Sequence, residues 1–258
     1  MKKSYTFTVI LLVLFVTAGL RAESEYDDTA GWFGALSAGG NVVSASANTL
    51  GGLGHFSFGI DGSYLRPKVD TDQFNAGGYS AVLRLGLLEG TTMGPGMHGV
   101  GSLDFYVKAG QMFLNGQKAT DIAHVGGGVR LGILRNSITS PAISVTAGYH
   151  KTGGLKIFQS VALPVDLSAL NPPEVEVSSW ALRADISKNL FVVTPYAGLG
   201  VNLSNIDVTG SGATWDGDMT ETVYYGGLEW NLMILHLGLE IGRSGGETYG
   251  KLGARLAL

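Results

Sequence analysis

From His55 to the last residue the chain alternates large apolar residues with small or polar ones, and turns interrupt the alternation at regular intervals. In the first copy His55, Ser57, Gly59, Asp61 and Ser63 fall on one side of an extended chain, and Phe56, Phe58, Ile60 and Tyr64 fall on the other. Side chains of a strand alternate faces with a period of two, so such a segment has one greasy face and one wet face. The pattern predicts ten strands, over 55–66, 76–88, 101–113, 121–134, 141–150, 174–187, 191–205, 221–232, 234–243 and 248–258. Apolar sets include Leu103, Phe105 and Val107; Val125, Val129, Leu131 and Ile133; and Leu235, Leu237, Leu239 and Ile241. The weakest segment is 174–187, where Val175 and Val177 are out of phase with Trp180, Leu182 and Ile186. A bulge or a late start is expected there.

A tilted strand needs about 9–11 residues to cross a bilayer, and these segments have that length or slightly more. Small and charged residues share the wet side, as they do when lining the inside of a barrel in lipid. A secreted soluble sandwich could show the same alternation. Its competitor gains from composition: 45% hydrophobic against 15% charged residues, with 40 glycines spread through the strands. Glycine weakens an ordinary strand interior, but inside a narrow barrel it makes room for long side chains opposite. The expected fold is all-β, a transmembrane antiparallel up-and-down barrel of about ten strands, with eight to twelve as bounds. With the N-terminus in the periplasm, connections 67–75, 114–120, 151–173, 206–220 and 244–247 lie outside the cell. Connections 89–100, 135–140, 188–190 and the one near 233 lie inside and, apart from 89–100, are short, as outer-membrane barrels require.

The N-terminus reads as a cleaved secretory signal. Lys2 and Lys3 precede an apolar run from Val9 to Val16, and Leu20-Arg21-Ala22 offers a cleavage site followed by acidic residues. The expected organisation is a signal peptide over 1–22, a periplasmic lead-in or short plug over 23–54, and a barrel over 55–258. Removing Lys2, Lys3 and Arg21 from the 17 bases leaves 14 against 21 acids, a formal −7. That balance excludes the basic footprint of a nucleic-acid binder. There is no cysteine, so no disulfide, thiol nucleophile or Cys-based metal site is available.

If the phase is right, the lumen holds Asp61, Asp104, Asp185, Glu229 and Glu240 against Arg84, Lys108, Arg130, Arg183, Lys251 and Arg255. Charges withdrawn from water must be paired and hydrogen-bonded. Five acids against six bases therefore read first as an electrostatic plug tying strands together, and second as a narrow pore that filters solutes. His55, His124, His150 and His236 share the inward phase, but their scattered spacing does not converge on a metal site, and no cofactor is expected. His150, near Ser144 and Thr146 on one face, is the single candidate for a hydrolase. The segment Gly210 to Glu221, with Asp216 and Asp218, resembles a calcium loop only loosely and reads as a solvated external loop. Loop 151–173 is unexpectedly apolar, with Leu155, Ile157, Phe158, Val161, Leu163, Val165, Leu167 and Leu170 ahead of Pro172-Pro173. It points to a segment folded over the barrel mouth, strands extended above the membrane, or contact with a lipidic ligand.

The last strand, Lys251-Leu-Gly253-Ala-Arg-Leu256-Ala-Leu258, resembles the C-terminal signal read by the bacterial barrel-assembly machinery, with Leu258 where that family usually has Phe. Thr194-Pro195-Tyr196-Ala197-Gly198-Leu199-Gly200 is similar to the proline-tyrosine-glycine strands of the same group. Over 55–258 the chain resembles the small outer-membrane β-barrel proteins of Gram-negative bacteria. The resemblance implies an outer-membrane location, with lipid, lipopolysaccharide and the assembly machinery as partners. It also implies a non-enzymatic barrel, structural or a narrow small-solute channel. The alternative is a passive transporter or binder of a small hydrophobic molecule with loop 151–173 at the mouth, and the third reading is an outer-membrane hydrolase.

Overall fold

The structure is a computed structural model that describes residues 46–66, 68–69, 72–73, 75–94, 96–114, 123–156, 174–210 and 213–258. The expectations for residues 1–45 and for the apolar stretch 157–173 fall outside these. Ten antiparallel strands close into one barrel. They are β1 (Phe56–Leu65), β2 (Ala76–Leu88), β3 (Ser102–Leu114), β4 (Ala123–Leu134), β5 (Ala142–Lys156), β6 (Glu174–Ser187), β7 (Val193–Gly210), β8 (Ala213–Leu232), β9 (Leu235–Ser244) and β10 (Glu247–Ala257). Each pairs with its neighbours in sequence, and β1 closes the sheet against β10 from Ser57↔Ala257 to Leu65↔Tyr249. A two-residue ladder, Lys68–Val69 with Asp72–Gln73, extends the first hairpin.

Closure leaves no edge in the membrane, which is what hydrocarbon demands of a strand. The seam is completed by the chain end: Leu258 N–H donates 3.0 Å to the Phe56 carbonyl, and Phe56 N–H donates 3.1 Å to that of Leu258. The outer surface carries the greasy phase of every strand. Phe58, Ile60, Leu83, Val107, Val129, Leu203, Ile241 and Leu252 are all exposed apolar side chains. Tyr149 and Trp180 pair directly across β5 and β6 with ring centroids 5.1 Å apart. Tyr64, Tyr79 and Tyr224 are exposed on the same outer surface, the kind of aromatic girdle that marks a membrane interface.

Three sequence expectations are corrected. Strand β6 has no bulge: Val177, Ser179, Ala181, Arg183 and Asp185 all face inward and are buried, so the apolar Val177 sits on the lumen side. The irregularity lies in its partner, where the register jumps between Thr152 and Leu155 of β5. The Thr152 hydroxyl there donates to the Val177 carbonyl at 3.1 Å and accepts its N–H at 3.0 Å. Second, the connection expected over 206–220 is mostly ladder, since β7 and β8 pair from Trp230↔Val193 up to Ala213↔Gly210. Strands of 18 and 20 residues exceed what a bilayer needs, and β5 likewise runs on to Lys156. Along the extra length the exposed phase of β7 is polar, with Asn205 and Asp207, so a period-two search for an apolar face passes over it. Among the described residues, 213–222 of β8 pair with β7 alone, because β9 joins only at Val223↔Ser244. Third, His55 has the inward phase but is exposed ahead of β1.

Candidate functional site: the occluded lumen

β1 begins and β10 finishes at the same end of the barrel, which also carries the connections 89–101, 135–141, 188–192 and 233–234. The wet phase of the strands points into a lumen filled by side chains. Asp61, Arg84, Asp104, Lys108, Arg130, Arg183, Asp185, Glu229, Glu240, Lys251 and Arg255 are all buried there, none more than 7% exposed. They form pairs between neighbouring or nearby strands. Arg84 bonds Asp104, with Nε to Oδ2 at 2.9 Å. Lys108 lies 3.6 Å from Asp61, Arg130 lies 3.6 Å from Asp185, and Lys251 lies 3.3 Å from Glu240. Arg255 Nη2 donates to both oxygens of Glu229 at 2.9 and 3.0 Å. His236 joins this last pair, its Nδ1 being 3.2 Å from Glu229.

Arg183, the sixth cation, stacks over the Tyr225 ring with its guanidinium carbon 5.3 Å from the centroid, an attraction to the ring's negative face. The Tyr225 hydroxyl donates to Asp185, and the Ser80 hydroxyl donates to Asp61. Pairing offsets part of the several kcal/mol that each isolated buried ion would cost, although Lys108 Nζ, 3.6 Å from Asp61, and Lys251 Nζ, 3.3 Å from Glu240, make no hydrogen bond among the described residues.

Four inward tyrosines complete the filling, and each faces a glycine on the next strand. The cross-strand pairs are Tyr106 with Gly128, Tyr196 with Gly227, Tyr225 with Gly198, and Tyr249 with Gly242. A methyl group at any of these glycines would overlap the facing phenol. The rings therefore lie along the wall instead of projecting to the axis. Sequence reasoning gave the glycines this role but missed the rings, because a tyrosine in the wet phase breaks the alternation. Facing positions in the hairpin register were the signal that could have found them.

The end of the barrel where β1 begins contains one further element. Residues Ser46 to Gly52 run inside the barrel, with Ser46, Ala47, Thr49, Gly51 and Gly52 buried. Arg130 Nη1 donates to the Ser46 carbonyl at 2.6 Å, Arg84 Nη2 to the Asn48 carbonyl at 2.6 Å, and Arg135 Nη2 to the Leu50 carbonyl at 3.2 Å. The Ala47 N–H donates to Ser187 Oγ at 3.0 Å, and the Leu50 N–H donates to Asp104 at 3.0 and 3.2 Å. Side chains add to this: Thr49 Oγ1 donates to Ser102 Oγ at 2.7 Å, and Asn48 Oδ1 accepts from the Asn136 N–H at 3.1 Å.

Glu221 is the inward charge that sequence reasoning overlooked. It was placed in a solvated external loop, yet it is buried beside Ser244, whose hydroxyl donates to Oε2 at 3.0 Å. Carrying the phase of Val223 and Tyr225 back by two residues would have found it. Asp218 instead accepts from Asn205 Nδ2 at 3.1 Å on the outer part of the hairpin. So Asp218 and Glu221 point to different surroundings, and among the described residues no group of three or more His, Cys, Asp or Glu could hold a metal. His124 and His150 are buried. The His150 ring stacks near Tyr106, its Nε2 being 3.5 Å from the phenol oxygen. The Thr146 hydroxyl accepts from Arg130 Nε at 3.0 Å, while the neighbour of His150 Nε2 is the Tyr106 hydroxyl.

The apolar exterior, the charged interior and the closed ladder together decide the type. The chain is a closed β-barrel of the outer-membrane kind. No protein-family model matches it, and no curated protein does. Solved structures to which the chain is similar include the translocator domain of the autotransporter NalP from Neisseria meningitidis, at 10% identity and TM-score 0.47, covering 90% of this chain and 96% of that one. The attachment invasion locus protein Ail of Yersinia pestis is 13% identical with TM-score 0.38, covering 80% of this chain and 99% of that one. The N-terminal β-barrel domain of Pseudomonas aeruginosa OprF is 13% identical with TM-score 0.34, over 80% and 99%. At these values the likeness carries no activity across.

Proposed function

We propose that this chain is a non-enzymatic barrel of the bacterial outer membrane, structural in role, with a lumen closed at rest. The observation that carries this reading is the buried, mutually paired set of lumen charges, stacked above a segment that crosses the periplasmic end. Ten strands enclose a bore only modestly wider than the eight-strand case, which side chains already fill. Outer-membrane lipid and lipopolysaccharide are the proposed surroundings of its apolar wall and external ends. The proposed assembly signal is Lys251, Gly253, Leu256 and Leu258. In the finished barrel Lys251 is buried on Glu240 while Leu256 and Leu258 face outward. A sequence read once during insertion is thus reused in the wall.

Planar-bilayer recording of the refolded full chain tests the proposal. Silence is expected, and stable unitary steps would replace the closed barrel by the small-solute channel. A second reading has one observation in its favour. Leu65, Met112 and Val177 face inward and are buried near the external ends of β1, β3 and β6, and Val223 is buried where β8 meets the external end of β9. A silent barrel that takes up a fluorescent fatty acid would point to the binder of small hydrophobic molecules instead.

A further inference from the structure

The segment from Ser46 to Gly52 is held in a manner unlike the rest of the molecule. Five of its contacts are made through its own backbone: the carbonyls of Ser46, Asn48 and Leu50 and the N–H groups of Ala47 and Leu50. Its sequence, Ser-Ala-Asn-Thr-Leu-Gly-Gly, has no charge and one large side chain. The wall is cut to receive a main chain. A Cβ at Gly86 would overlap the backbone of Gly52. This is how a groove recognises an extended peptide: backbone bonds supply affinity while shallow spaces admit only small side chains.

The wall does not depend on the segment for its own electrostatics. Arg84 keeps Asp104, and Arg130 keeps both Asp185 and Thr146, through bonds that do not involve residues 46–52. Losing the segment therefore leaves no naked ion, only polar groups that water can reach from the periplasm.

We infer that the periplasmic end of the lumen is a binding site for a short, uncharged, extended peptide, and that Ser46–Gly52 is its tethered occupant. The segment is a stopper that leaves and returns while the barrel stays folded. The inference rests on the closed-barrel reading, since a stopper has meaning only in a lumen that is shut at rest.

The chain has no cysteine, so Thr49→Cys in the full chain supplies a single probe at a buried position bonded to Ser102. A membrane-impermeant maleimide, added to protein shown to remain folded by its heat-dependent gel mobility, should label it slowly but to completion. Gly86→Ala, also in the full chain, should raise the labelling rate about tenfold or more, the factor expected when a methyl overlaps a packed backbone. The same variant should stay silent in planar bilayers, because the paired charges still fill the bore beyond the segment. A second variant, Thr49→Cys with Ser102→Cys, should lock the stopper on oxidation and become inert to the maleimide until it is reduced. No labelling of folded protein over days, while urea-unfolded protein labels in minutes, would make the segment permanent core and overturn the inference with the closed barrel intact. Steps from the unmodified chain would overturn the closed barrel itself.

Discussion

Asp104 is the residue on which wall and stopper meet, and replacing it by alanine measures what the lumen network contributes. Its carboxylate takes Arg84 Nε at 2.9 Å, a second bond from Arg84 Nη2, and the Leu50 N–H at 3.0 Å, at 1% exposure. Truncation leaves the Arg84 guanidinium buried, with Arg130 and Arg255 close enough to repel it. Removing one partner of a buried pair costs roughly 3–5 kcal/mol. The Asn48 carbonyl still accepts from Arg84 at 2.6 Å, which places the expectation at the lower end, about 3 kcal/mol. The assay is urea unfolding of the chain refolded into lipid vesicles, followed by tryptophan fluorescence, where an unchanged slope and a lower midpoint report lost stability. Replacing both Asp104 and Arg84 by leucine should recover most of the loss, because an apolar pair leaves no ion behind. Lys151→Ala serves as the contrast: its partner is Glu176 and both side chains are well exposed, so the change should stay below about 1 kcal/mol. If Asp104→Ala costs no more than Lys151→Ala, the lumen is wet and screened, and its charges do not hold the strands together.

Two further outcomes follow from the wall. Gly227→Ala puts a methyl against the Tyr196 ring and should destabilise by about 1–3 kcal/mol, whereas Gly250→Ala, with nothing within 4 Å of the new carbon, should be silent in the same unfolding assay. Leu252→Arg, at the middle of β10 on the lipid side, should cost about 2–4 kcal/mol; a neutral result would mean that this face does not meet hydrocarbon.

Much of this architecture is legible in the sequence because lipid enforces the period of two. The alternation seen first from Phe56 to Tyr64 recurs strand by strand, and its phase brings eleven of the inward charges to the lumen side, Glu221 being the further one. What the pattern does not carry is whatever no apolar face enforces. The ladder from Ile206 to Asp218 stands clear of lipid, so its alternation lapses and it reads as loop. Val177 is apolar but faces inward, and it mimics a phase error. The packing of Ser46 to Gly52 is set by Arg84, Arg130, Asp104 and Ser187, which lie on four different strands far away in sequence. No local rule could foresee it.

The four tyrosine–glycine pairs have a consequence for how this protein can change over generations. Tyr196 with Gly227 and Tyr225 with Gly198 lie in one hairpin, each strand lending a ring to the other's gap. Enlarging a glycine alone drives a phenol toward the axis, and shrinking a tyrosine alone opens a slot along the wall. The bore is thus set by four two-residue units, and substitutions within them should be inherited together. Descendants of this barrel can drift almost everywhere on the outer wall and still be recognised by those coupled positions.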